Sequence, residues 1–133
     1  IANNGVDATE KWAHRFVGNF ARKPEGNDRA QIMAVANGEA DVAVANSYYI
    51  GLMLSGKKGE EQQAAARKVE LHFPGQDGRG AHINVSGAGL MKNAPNAGNA
   101  IKFIEFLLSE EAQSHIVNNT YEFPMLKELH LVI

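Results

Sequence analysis

Asp41-Val42-Ala43-Val44-Ala45-Asn46, followed at once by Ser47-Tyr48-Tyr49-Ile50, is the stretch on which the fold turns. Its β-branched residues alternate with small ones, the pattern of a short parallel strand covered on both faces. Ligands of open α/β sheets bind at the carboxyl ends of such strands, so Tyr48 and Tyr49 fall where a ligand is expected. Upstream, Asp28 and Gln31 have the spacing of a capping box. Ile32, Met33, Val35 and Ala36 supply an apolar helical face, and Gly38 sits where a helix commonly ends in αL geometry.

Further out the alternation continues. Asp7-Ala8-Thr9-Glu10 has capping-box spacing ahead of Trp12, Phe16, Val17 and Phe20, and Pro24 and Gly26 interrupt that helix. Gly56 to Val69 reads as a loop leading into a solvated helix, and Val69–Phe73 as a second strand closed by Pro74-Gly75. After the Gly75–Gly80 link, Ala81 to Met91 reads as a third strand ending in Gly87-Ala88-Gly89. Asn99 is a candidate cap for a helix holding Ile101, Phe103, Ile104, Leu107 and Leu108, and Ser109 starts a further turn. Tyr121 to Ile133 carries no firm pattern. Helices alternating with strands predict an α/β fold with a parallel-rich sheet flanked by helices.

Composition excludes several function classes. Thirteen Lys and Arg against fifteen Asp and Glu leave a net charge of −2, so no strong field favours a polyanion and no nucleic-acid partner is expected. With 44% apolar and 21% charged residues the chain has the composition of a globular domain. The absence of cysteine removes disulfides, thiol catalysis and zinc–thiolate sites. No apolar run approaches the roughly 18–20 residues of a membrane span, so no membrane insertion is expected.

Among candidate site residues the Tyr48-Tyr49 pair is the most informative. A phenol titrates near pH 10 and is a poor ligand at neutrality, unless a highly charged hard cation drives the proton off. Hard oxygen donors suit ferric iron better than softer ions. Spacing alone also fits one packed and one exposed tyrosine, so both readings stand at this point. His14, His72, His82, His115 and His130 form no helical metal spacing. Gly87-Ala88-Gly89 lacks both the Gly-Lys-Ser/Thr of a P-loop and the third glycine of a dinucleotide fingerprint. Asp77 and Arg79 offer charges in a turn, which ordinarily meet only water. No nucleophile elbow or catalytic triad order stands out, and the chain is not expected to be an enzyme.

Three stretches together resemble the ferric-ion-binding periplasmic proteins of iron ABC transporters, a branch of the type II solute-binding proteins. They are Asn37 to Tyr49, Phe73 to Gly89, and Phe106 to Gln113. The likeness extends from the first helix to Tyr121-Glu122-Phe123-Pro124 and stops before Met125 to Ile133. It implies a two-lobed fold, with residues 1–82 in the second lobe, 83–90 as an interlobe crossover strand, and 91–133 in the first lobe with an unassigned tail. Asn99–Gln113 then belongs to the first lobe. It implies Fe³⁺ as cargo, held by the phenolates of Tyr48 and Tyr49 in the interlobe cleft, with a synergistic anion such as carbonate in some members. It implies iron capture in the periplasm and delivery to an ABC permease.

Beginning at Ile1 without a basic-then-apolar leader, the chain is expected to be the middle and later part of a longer protein. As such it is expected to bind iron weakly or not at all alone, and to self-associate or exchange elements between copies through exposed lobe surface. The competing expectations are the same fold carrying an organic anion or polyamine, and the effector-binding domain of a transcription regulator.

Overall fold

A computed structural model describes residues 1–131. Its order is α1 (Gly5–Gly18), α2 (Asp28–Ala36), α3 (Ser47–Leu54), α4 (Glu60–Ala66), α5 (Ala97–Leu107) and α6 (Glu110–Thr120). The caps differ from the expected ones in instructive ways. Asn27, not Asp28, caps α2, its side chain accepting the Ala30 amide at 3.2 Å. Ser109 caps α6 as expected, accepting the Ala112 amide at 3.3 Å. Helix α1 starts at Gly5 and α5 at Ala97, so neither the Asp7 box nor Asn99 marks a helix start. Gly38 takes φ 78° just beyond α2, the left-handed geometry expected of it.

The core lies where α2, α3 and α4 meet. Ile32, Ile50, Met53, Ala65 and Ala66 are buried together, with Met33, Leu54, Val69, Leu71 and the ring of Tyr49 packed around them. Met53 is fully enclosed, a burial that contributes on the order of 1.5–3 kcal/mol. Arg29 donates to Gln62 at 3.2 Å and ties α2 to α4. The stretch after Gly56 does form a helix, α4, but not a fully solvated one: Ala65 and Ala66 are drawn into the core. Helices α5 and α6 pack on each other. The join between them is sealed by Gln113, buried, which donates to the Leu107 carbonyl at 2.8 Å and accepts the Met125 amide at 2.7 Å.

The expected sheet is not formed among the described residues. The predicted strands at 41–46, 69–73 and 81–91 form no strand or bridge among the described residues. Val42 is 81% and Val44 75% exposed, so Asp41–Ala45 is not the interior strand that its composition predicts. The physical reason is that a β-ladder is made between segments: alternating Val and Ala prepare two faces but supply no neighbour to hydrogen-bond with. Ile83 and Val85 are left open in the same way. No described helix is long and apolar enough to cross a membrane.

Candidate metal centre at the start of helix α3

Tyr48 and Tyr49 open the first turn of α3, one residue past the 41–46 segment. Their ring centroids lie 4.6 Å apart with planes tilted by 46°. Adjacent helical side chains normally diverge by about 100° of arc, so this proximity places two hydroxyl-bearing rings side by side. Both are half-buried. Tyr49 packs against the core, whereas Tyr48 is not among the residues packed there.

Desolvation, the adjacent Tyr49 with its side-chain hydrogen bond, and the carboxylates of Asp28 and Glu122 raise the Tyr48 phenol above its ordinary pKa. Each of these disfavours the Tyr48 phenolate, so Tyr48 is protonated at neutral pH. The same crowding of negative charge would favour a cation placed between the hydroxyls, because it turns every repulsion into an attraction. Phenol oxygens are hard donors, suited to a hard trivalent ion and ill suited to copper(I) or zinc.

Behind the pair lies a set of contacts that join three distant segments. One carboxylate oxygen of Asp28 accepts both the backbone amide of Asn46, at 2.8 Å, and its side-chain amide, at 2.9 Å. Asn84 donates its side-chain amide to the Asn46 side-chain oxygen at 2.5 Å. His82 Nε2 lies 3.1 Å from the Asn84 side-chain oxygen. The Asn46 carbonyl accepts the Tyr49 amide at 3.1 Å, closing the first turn.

Tyr121, in the unpatterned tail, also reaches α3. It takes the left-handed conformation, φ 61° and ψ 28°, at the end of α6. The Ser55 and Lys57 side chains beside its phenol lower its pKa, helped by the Lys57 charge and opposed by desolvation. The Lys57 ammonium stands 5.2 Å from its ring centroid.

The remaining candidates are not brought to this place. His14 pairs at 3.9 Å with Glu10 along α1. Asp77 and Arg79 stay exposed in the 74–79 turn. Among the described residues no group of His, Asp and Glu is arranged to hold a metal ion. The apolar cleft lined by Phe106, Leu107, Ala112 and Ile116 includes neither tyrosine of the pair. Asp28, Asn46 and Asn84 escaped sequence reading. Asp28 reads as a cap and Asn46 as a strand end, and no local signal points either of them at Asn84.

Comparison with known proteins converges on one group. The model of bacterial extracellular solute-binding proteins matches residues 3–114. Iron uptake protein A1 of Synechocystis sp. (strain ATCC 27184 / PCC 6803 / Kazusa) is 52% identical over 126 residues, covering 95% of this chain and 35% of that protein. A Trichodesmium protein solved in complex with iron and citrate superposes with a TM-score of 0.89 at 49% identity, covering 95% of this chain and 40% of that one. The ferric binding protein from Campylobacter jejuni gives 0.88 at 40% identity, covering 98% and 41%. The chain thus spans about a third of the length of the curated relatives it matches (35% and 37%).

Proposed function

Since this chain belongs to the bacterial extracellular solute-binding protein family, we propose that it is part of a periplasmic protein that captures ferric iron and delivers it to an ABC permease. The observation that carries the reading is the Tyr48–Tyr49 pair, two hard oxygen donors on rings 4.6 Å apart at the start of α3. The iron named in the relatives, including the iron uptake protein and the ferric binding protein, supports it. The protein is a carrier and not an enzyme.

In this reading Fe³⁺ displaces the phenol protons of Tyr48 and Tyr49 to solvent and is bound by the two phenolates. Two phenolates leave a formal +1 on the ion, so further oxygen donors complete the site: an anion such as carbonate, or groups from the opposite cleft wall. Residues 1–82 belong to one lobe, 83–90 cross between lobes, and 91–133 return to the other. The packing of α2–α4 on one another and of α5 on α6 supports that division, although Tyr121 reaches back to α3. The segments 41–46 and 81–91 become strands of a parallel-rich sheet once neighbouring segments of the whole protein pair with them. A TM-score of 0.89 against a longer solved chain supports their keeping the right path meanwhile.

The test is optical. Phenolate bound to Fe³⁺ gives a visible charge-transfer band, so the whole protein with iron should be coloured. Replacing both tyrosines by Phe keeps the rings and removes both oxygens. A double Phe variant with unchanged colour and affinity would remove Tyr48 and Tyr49 from the site.

A further inference from the structure

Asn46 breaks a local rule. An asparagine at an N-cap ordinarily turns its side-chain oxygen back to the second or third amide of its own helix. Asn46 caps α3 by position but makes no such bond. Its side chain is spent on tertiary partners instead, the amide on Asp28 and the oxygen on Asn84. A capping bond given up beside a ligand site marks a side chain recruited for another task.

The bonds have a direction. Asp28 is a carboxylate and only accepts, so the Asn46 amide nitrogen must face it and the Asn46 oxygen must face away. That oxygen accepts, so Asn84 must present its own amide nitrogen. The Asn84 oxygen then accepts, so His82 Nε2 carries a hydrogen. Every link donates toward one anion, an arrangement in which each bond polarises the next. One charge at the start of α2 thereby determines the orientation of two asparagines 18 and 38 residues apart in successive steps.

We propose that Asn46 and Asn84 are positioning residues for the tyrosine pair: the one-way chain from His82 through Asn84 and Asn46 to Asp28 anchors the first turn of α3 and ties its aim to the 82–84 segment. Anchoring reaches the pair through the backbone, because Asn46 is pinned by its own amide and holds Tyr49 through its carbonyl. With 83–90 as the interlobe crossover, the chain gives lobe opening a handle on the phenolates. Moving Asn84 away frees the Asn46 side-chain oxygen, leaves its amide on Asp28 alone, and loosens the turn that aims both rings. The part played in iron handling rests on the function proposed above, whereas the anchoring itself does not.

The experiment uses the whole protein with Asn84→Ala, Asn84→Asp, Asp28→Ala and Asp28→Asn, read in two ways. Without metal, deuterium exchange of the amides at 46–49 is compared with that of the 65–66 amides in α4. With iron, the visible band and the rate of iron loss to EDTA are followed. Asn84→Ala should speed exchange at 46–49 and iron loss about tenfold each, the scale of one net hydrogen bond, and should shift the band while α4 stays protected. Asn84→Asp keeps the shape but sets an acceptor against the Asn46 oxygen, so it should exceed Asn84→Ala on every readout. Asp28→Asn still accepts and should fall between wild type and Asp28→Ala. If Asp28→Ala fails to fold, the exposed Asn84 variants still decide. Exchange and iron loss like wild type in both Asn84 variants would overturn the proposal. A wild-type protein that shows no iron band would sink the ferric reading alone, leaving the metal-free exchange to judge the anchoring.

Discussion

Tyr121 occupies the space where any side chain on Gly51 would have to go: a Cβ built there would lie 2.8 Å from the Tyr121 Cβ and 2.9 Å from its Cγ. Gly51 lies in the middle of α3, where glycine weakens a helix. Its reason for being there is this close approach. Tyr121, held in αL geometry that is strained for a residue with a side chain, is thereby seated on the helix that carries the tyrosine pair.

Gly51→Ala should therefore destabilise the protein by about 1–3 kcal/mol, the usual cost of overpacking, even though alanine is the better helix former. In a Tyr121→Ala background the same substitution should be neutral or stabilising. Urea denaturation of the four proteins in the cycle reads the coupling, and additive effects would show that the two residues do not compete for space.

Ferric binding should release protons. The Tyr48 phenol is held above its ordinary pKa, and an ordinary phenol titrates near pH 10, so capture of Fe³⁺ as a bis-phenolate is expected to displace about two protons. Apparent affinity should then rise by up to about a hundredfold per pH unit below the phenol pKa, once iron hydrolysis and buffer competition are corrected. Proton release in a weakly buffered titration checks it, and each single Phe variant should lower the count by about one.

Tyr121 should ionise before Tyr48. Tyr121 is lowered by the Ser55 and Lys57 side chains, and Tyr48 is raised by desolvation and by Tyr49. Tyrosinate absorbance should lose a lower-pH component in Tyr121→Phe than in Tyr48→Phe. The signs for stability are opposite. The Tyr121 contribution is full above the unfolded phenol pKa and is lost as pH falls through its lowered folded value. The Tyr48 contribution is full below the unfolded pKa and is lost as pH rises through its raised folded value. Lys57→Met should move the Tyr121 phase upward.

Trp12, the sole tryptophan, reports on association of the 133-residue chain. Helix α1 buries none of its residues, and Trp12 stacks on Phe16 at 5.2 Å while 61% exposed. Phe16 meets Phe20 edge-on, also at 5.2 Å, extending an open aromatic row. Such a row favours burial against another copy. Raising the concentration of the isolated chain should shift Trp12 emission to the blue and protect it from iodide, in step with mass by light scattering. A chain that stays monomeric with a quenchable Trp12 at high concentration would contradict this.

The helices around Ile32 and Ala65, and the one that Ser109 caps, were legible in the sequence because what makes them is local, whereas α3 around Ile50 was not legible as a helix. Periodic apolar residues, the Gly38 stop and the Ser109 cap act within a turn or two of themselves. The adjacency of Tyr48 and Tyr49 was legible for the same reason, as was the hard-donor chemistry that follows from it. Asp41–Ala45 shows where local reading ends: its pattern prepares a strand, but a strand exists only when another segment lies alongside. The placement of Asp28, Asn46 and Asn84 was beyond the sequence altogether. Each has an unremarkable local role, and only the path of the backbone brings their amides and carboxylate within 3 Å of one another. Likewise nothing near Tyr121 marks it as the partner of Gly51. Contacts between residues far apart in sequence depend on how the packed helices and the segments between them meet, and that is a property of tertiary structure.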